Sequence, residues 1–414
     1  MNLFRLFFPV IGEIQSLPAV TPVQDGVKIV KSHDRSEMNM NEKNTIQLTN
    51  RQKLWLKLFM GLGALAFLVG VFTDPTRAWS NLLLNGYFLT GIGFCGMMMV
   101  AIHYVSNAGW DVAIRRVSEA MFSVLPFGFV VMALLYFGMH DIYEWSHEDV
   151  VANDPILLGK SAWLNPLGFM IRMVVYFVFW IWVGRKIISK SHAMDLDGNP
   201  AHTKSATGLS AFWLYIGGIM FIFSSFDWIM SLEPHWYSTI FGLYNFSGMF
   251  TSGLAFTIIA LIFLRRTGVM KGLVKIDHLF ELSRYLFGFV TFWVYIWFSQ
   301  HMLIWYANIP EETVYYIKRH VGVFASLTVV NILLNWFIPF AILLFRKTKR
   351  NEKSLLIAAS LVLVGRWVDL YMMIFPPHLE SPVFGLMEIA MFAGALSLTV
   401  WVFVKAFAKE KAVP

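Results

Sequence analysis

The sequence predicts an all-α polytopic integral membrane protein, on three observations. Hydrophobic residues make up 57% of the chain and charged residues only 14%, against about 25% charge in ordinary soluble domains. Ten apolar segments are each long enough to cross a bilayer, which takes about twenty mostly apolar residues. The basic residues lie mostly between those segments. In a soluble protein the net charge of +7 would suggest a nucleic-acid partner; this distribution excludes one and points to the lipid bilayer.

The segments fall at about 54–72, 82–105, 117–140, 163–184, 209–230, 236–264, 280–306, 314–345, 354–375 and 383–406. The second and fifth carry glycine-rich runs, NGYFLTGIGFCG (85–96) and YIGGIM (215–220). Small residues let membrane helices approach closely, so a tight bundle is expected. The linkers around 106–116, 185–208, 265–279 and 346–353 are basic, whereas the linker over 140–160, HDIYEWSHEDVVANDPILLGK, is acidic. No linker is long enough for a soluble catalytic domain. Of the 33 lysines and arginines, 25 fall on the side of the chain ends, four (Arg77, Lys160, Lys318, Arg319) on the opposite side and four (Lys57, Arg172, Arg284, Arg366) within segments. That asymmetry predicts both termini in the cytoplasm.

The opening MNLFRLFFPVIGEIQSLPAV has one early arginine and an apolar patch broken by Pro9, too short and interrupted for a signal peptide. Residues 20–50 are polar and poor in aromatics, so residues 1–50 are expected to be a cytoplasmic extension, disordered or folded on a partner. Residues 51–408 form the membrane domain and 409–414 a cytoplasmic tail. The single cysteine, Cys95, lies in an apolar run and reads as a buried thiol. One cysteine excludes an intrachain disulfide, a covalent c-type haem and a cysteine-ligated iron–sulfur cluster. Any electron carrier is then histidine-bound, diffusible or on another subunit.

The chain is organised around Phe221–Phe250, where the fifth and sixth segments are joined by almost no loop. Asp227, Glu233 and His235 lie within nine residues there, interleaved with Trp228, Trp236 and Tyr237. Charge beside apolar segments costs free energy and needs a reason. For Glu233 and His235 the structural reason is capping of helix ends in the headgroup layer, next to an aromatic belt. For Asp227, set back in an apolar run, it is function or a buried partner.

Depths follow from about 1.5 Å of rise per residue. Arg172 lies roughly 20 Å above Arg185, His301 roughly 25 Å above Arg284, and Glu388 about 25 Å above Lys405. Arg366 and Asp369 lie roughly 18 and 22 Å from the inner end of their segment. Asp227 and His140, with the neighbouring Asp141, come out near the outer edge. Ionisable groups from five or six helices therefore share the outer third of a membrane about 30 Å thick.

Arg366 and Asp369, three apart, can pair on one helix face, either in a site or as a self-neutralised bridge. Arg172 requires an acid such as Asp227 or Glu388. His301, beside Gln300, is a site residue or a hydrogen-bonded packing residue, and Asn331 with Asn335 suits interhelical hydrogen bonding. At the inner ends His103, Glu119, Asp277, His278 and Arg284 are expected in the headgroup layer.

Such a layer suits quinol oxidation, which needs a base within reach of each hydroxyl, a proton exit and an apolar slot for ring and tail. Bis-histidine haem would have only His140 and His301 as an outer pair, and two histidines spaced along one helix, as in di-haem cytochromes b, are absent. A proton or ion translocator would use the same residue types, with a relay through the inner half as well.

The stretch FDWIMSLEPHWYSTIFGLYNFSGMF resembles the signature region of the F subunit (ActF) of bacterial alternative complex III, a quinol:cytochrome c oxidoreductase. SQHMLIWYANIPEET (299–313) and GRWVDLYMMIFPPH (365–378) are similar to the same family's later helices, and the likeness spans about residues 50–408. These subunits belong with NrfD/PsrC-like membrane proteins. The resemblance implies two four-helix bundles plus two flanking helices in a bacterial cytoplasmic membrane. It also implies contact with a sister NrfD-like C subunit, an iron–sulfur B subunit, c-type cytochrome subunits and a terminal oxidase, and no redox centre or metal in this chain.

In the sister C subunit the quinol pocket uses a histidine ending the third helix with acids and an arginine on later helices. His140, Asp227, Arg366 and Asp369 match that pattern, while Arg172 stands where the fourth helix would carry a carboxylate. The expected role is scaffolding of a quinol-oxidising complex and proton conduction beside a vestigial or second quinone pocket at the outer face. The pocket or proton-path candidates are His140, Asp141, Arg172, Asp227, Glu233, His235, His301, Arg366, Asp369 and Glu388. The alternatives are a self-contained ion or proton-coupled transporter and a purely structural membrane anchor.

Overall fold

The computed structural model describes residues 46–409. Most of the extension expected over 1–50, and the tail beyond Lys409, lie outside the described residues. Every regular element among the described residues is a helix. Ten are long and apolar enough to cross a membrane: α1 (Asn50–Thr73), α2 (Pro75–Val105), α3 (Arg115–Ile142), α4 (Pro166–Asp197), α5 (Pro200–Leu232), α6 (Phe241–Arg266), α7 (Ile276–Ala307), α8 (Phe324–Leu343), α9 (Glu352–Ile374) and α10 (Leu386–Phe407). The chain is an all-α polytopic membrane protein. Residues 46 and 409 share one face, here the terminal face; the opposite face is the distal face.

Several helices outrun their apolar segments because polar caps, not hydropathy, set where they start. Asp74 caps α2 through the Arg77 amide at 3.3 Å, with Pro75 in the first turn. Asn165 and Asn199 cap α4 and α5 ahead of Pro166 and Pro200 in the same way. Proline suits that position because the first-turn N–H groups have no intrahelical partner. The segment expected over 314–345 is two elements. An amphipathic helix, Pro310–His320, ends at Gly322 in a left-handed conformation (φ 69°), and α8 follows. Within α8 a π-turn at Leu333–Phe337 precedes Pro339; the wider turn accommodates a residue that cannot donate to the preceding turn.

Packing divides the spans as the family resemblance implies. α2–α5 form one four-helix bundle and α6–α9 a second, α2 and α5 meet α6 at the centre, and α1 and α10 pair along the outside. Glycine makes the closest approaches possible. A methyl group on Gly93 would lie 2.6 Å from the Leu125 amide nitrogen, and one on Gly96 2.6 Å from the Ser118 carbonyl. α3 is broken where it crosses there, just before Pro126. On the other flank the backbones of Gly63 and Gly394 touch.

Candidate functional site

Each bundle holds one buried carboxylate at the same level. Asp227 lies five residues before the distal end of α5 and Asp369 five residues before that of α9, roughly 8 Å inside each end. Both are 0% exposed, and each oxygen accepts two hydrogen bonds. Asp227 Oδ1 accepts from Trp163 Nε1 (2.7 Å) and Arg172 Nη2 (3.0 Å), and Oδ2 from Arg172 Nε (2.8 Å) and Tyr176 Oη (2.9 Å). Asp369 Oδ1 accepts from Tyr244 Oη and Asn331 Nδ2 (3.0 Å), and Oδ2 from Trp293 Nε1 (3.3 Å) and Arg366 Nη1 (2.5 Å).

An ionised carboxyl group buried this deeply is tolerated when paired and fully hydrogen-bonded, and both sets of donors achieve that. The two sets draw on different elements. Arg172 and Tyr176 are one turn apart on α4, so Asp227 ties α4 to α5. Asp369 takes Tyr244 from α6, Trp293 from α7, Asn331 from α8 and Arg366 from its own helix, joining all four helices of the second bundle. Arg366 also donates to Asn245 Oδ1 at 3.1 Å. Gly248 leaves room for its guanidinium, because a methyl group there would lie 2.3 Å from Nη1. Asn335 Nδ2 donates to Asn331 Oδ1 at 2.6 Å, so both asparagines belong to this network. With both oxygens of Asp227 and Asp369 saturated, neither is open as a base for a ring hydroxyl.

Open titratable groups gather instead in a distal cavity of about 650 Å3 between the ends of the two bundles, where His140, Asp141, Glu233, His235, Lys318 and His378 face the same space. The turn after α5 forms its floor and is longer than the near-absent loop expected, with α6 beginning only at Phe241. Glu233 ends α5 through its backbone N–H on the Met230 carbonyl (3.1 Å), while its carboxylate accepts from Lys318 Nζ (3.0 Å) and Arg319 Nη2 (2.7 Å). Arg319 is 4% exposed and also donates to the carbonyls of Met372 (2.8 Å) and Met373 (3.1 Å) near the end of α9. Burial opposes ionisation of Glu233, but the two cations outweigh it and hold its pKa below the usual value.

His235 Nε2 meets Asp154 Oδ2 at 2.5 Å, while Asp154 Oδ1 caps the helix Pro155–Lys160 through two backbone amides. The His235 hydrogen bond and that cap keep Asp154 acidic. The acidic linker is thereby latched onto the turn after α5, helped by Lys160 Nζ on the Pro234 carbonyl (2.6 Å) and Tyr143 Oη on that of Trp228 (2.7 Å).

His140 lines the cavity, and the other candidates stand apart from it. His140 Nδ1 bonds to Ser146 Oγ at 3.1 Å, and its ring packs on His147 rather than facing His301. His301 clusters with Tyr316 and His320 beside the helix Pro310–His320. Glu388 forms a bidentate pair with Arg77 (2.7 and 2.6 Å) and accepts from Asn81 (2.9 Å) where α2 meets α10. At the terminal face Glu119 and His103 are buried rather than set among headgroups, Glu119 against Arg116 and His103 3.7 Å from Asp111. Among the described residues no three His, Cys, Asp or Glu side chains converge as a metal site requires.

Burial pushes two histidines of the distal face down to about 4. His320 is lowered further by His301 and Arg319; for His378 the Lys318 charge adds to burial while Glu233 works against it. Both are neutral in the folded protein at neutral pH. Because their folded pKa values lie below the ordinary 6.5, the unfolded segments bind protons first. Local stability is then full above about pH 6.5 and falls toward pH 4, by on the order of 2 kcal/mol. Amide-exchange protection over 310–320 and 375–380, with the intrinsic pH dependence of exchange divided out, is expected to fall between pH 7 and 4.5, and His378→Gln to flatten that fall over 375–380; protection unchanged by pH would contradict it.

Fold and site together define a multi-pass helical membrane protein with two saturated buried carboxylates and a titratable cavity on one face. No protein-family model and no curated protein matches the chain.

Proposed function

We propose that the chain is an integral membrane subunit of a quinol-oxidising respiratory complex of the alternative complex III kind. In this reading it sits in a bacterial cytoplasmic membrane with both termini inside. It scaffolds the complex and carries protons at its outer, distal face without oxidising quinol itself. Electron carriers, the iron–sulfur clusters and c-type haems, belong to partner subunits, and the groups around Asp227 are a vestigial copy of a quinone pocket.

The observation that carries this reading is the contrast between the two layers of titratable groups. Asp227 and Asp369 have no oxygen left for a substrate proton. Just beyond them His140, Asp141, His235 and His378 line an open cavity, and imidazole and carboxylate are the side chains suited to accepting and releasing protons. The saturation of both carboxylates also favours the structural-anchor reading, so the test must separate the two.

The test is quinol-dependent cytochrome reduction by the purified complex in liposomes, with proton release followed alongside, for Asp141→Asn combined with His378→Gln. The expected result is electron transfer near the wild-type rate with slowed proton release. Loss of both activities in an intact complex would mean a direct part in quinol oxidation. No change in either would leave a structural anchor.

A further inference from the structure

A second cavity, about 470 Å3 in volume, opens at the terminal face between α1, α3, α4 and α10. Its walls run parallel to the helices. On α3, Glu119 lies on the terminal side of the break and Phe127 on its distal side, and on α10 Lys405 and Leu398 lie roughly 10 Å apart along the axis, with Lys409 just beyond the end of that helix. The polar ends of both walls coincide at the terminal face, and Phe127, Leu398 and Trp401 line the deeper part. A polar mouth with an apolar track leading into the bilayer is the outline of one phospholipid.

The charges at the mouth are of two kinds. Lys405 Nζ lies 4.5 Å and Lys57 Nζ 5.7 Å from the centroid of the Trp401 ring, and neither forms an ion pair with a carboxylate among the described residues. Opposite them Glu119 is 4% exposed. Its Oε2 accepts from Arg116, which is shared with Asp195, while Oε1 accepts no hydrogen bond from any described residue. One arginine between two carboxylates leaves a negative charge in excess, lying 3.9 Å from His192 Nε2. A buried carboxylate oxygen without a donor is costly, and Glu119 is among the residues lining a groove whose other side carries ammonium groups.

We infer that this groove binds one phospholipid whose headgroup carries both a phosphate and a protonated primary amine, the phosphatidylethanolamine class. The phosphate accepts from Lys405 and Lys409, the ammonium donates to Glu119 Oε1, and an acyl chain follows Phe127 and Leu398. A purely anionic headgroup brings no cation to Glu119. A quaternary ammonium has no hydrogen to donate.

The test is native mass spectrometry of the full chain, delipidated and offered phosphatidylethanolamine, phosphatidylglycerol or phosphatidylcholine of matched chains. Phosphatidylethanolamine is expected to be retained about tenfold better than phosphatidylcholine, the worth of one charge-assisted hydrogen bond. Glu119→Gln should erase that preference, and Lys405→Gln, an exposed position, should weaken all three lipids. Because Glu119 sits in a buried ion cluster, N-methylated headgroups offered to the unaltered chain give an independent readout, with retention collapsing at the trimethyl form. Equal retention of all three lipids, preference for phosphatidylglycerol, or retention indifferent to methylation would overturn the proposal.

Discussion

Asp369→Ala is expected to lower stability by about 3–5 kcal/mol, the cost of leaving a buried charge without its partner. Arg366 has a side chain only 3% exposed and loses its carboxylate partner, and the donors of Tyr244, Trp293 and Asn331 lose their acceptor in the same step. Since those donors come from α6, α7 and α8, the loss loosens the whole second bundle rather than one contact. Adding Arg366→Met removes the orphaned charge and should recover more than half of the deficit, because apolar replacement of a buried pair is often close to neutral. Equilibrium unfolding in mixed detergent measures both. A single substitution costing under about 1 kcal/mol would show that Arg366 finds another partner or water.

The second large effect is steric. A methyl group on Gly253 would lie 2.0 Å from Cys95 Sγ and 2.3 Å from its Cβ, so rotating the thiol away does not relieve the clash and α2 must move from α6. Those helices form the seam between the bundles, so Gly253→Ala is expected to cost about 3 kcal/mol, the upper part of the range for overpacking. Cys95→Gly in the same chain opens the space again and leaves the number of helix glycines unchanged, so the double variant should return to within about 1 kcal/mol of the parent. Thermal unfolding of the two single variants and the double variant gives the coupling. Simple additivity would show that the seam relaxes elsewhere.

The ten spans were legible because apolar length is a property of the chain itself. Helix ends were less so, since Asp74, Asn165 and Asn199 set them through caps that lie outside the apolar runs. The division at Gly322 was missed because Pro310–His320 carries the consecutive run Val314, Tyr315, Tyr316 and Ile317, which blends into the apolar run that follows. Among the charges, the pairing of Arg366 with Asp369 could be read from a spacing of three, and Arg172 demanded an acid whose identity only packing supplied. Tyr244, Trp163 and Trp293 gave no signal. In a chain with 38 phenylalanines, 16 tryptophans and 14 tyrosines an aromatic that donates one hydrogen bond looks like any other. Tyr176 alone had a trace, one turn beyond Arg172 on the same face. Arg319 read as a surface charge because the carbonyls it holds are 53 and 54 residues away.

The pairing of α1 with α10 bears on how the chain is made. Only 17% of the apolar window of α1 is buried, and its main partner, α10, is made more than 300 residues later. Gly63 and Gly394 are 331 positions apart, so at roughly 5–20 residues per second α1 waits on the order of 15 to 65 seconds for its neighbour. Arg77 waits as long for Glu388. During that interval α1 must hold its place in lipid by its own hydropathy, which at 2.0 is among the highest of the ten. Truncation just before residue 386 would release an inserted but unclosed chain, with the lipid-facing α1 left without α10 and Arg77 without Glu388.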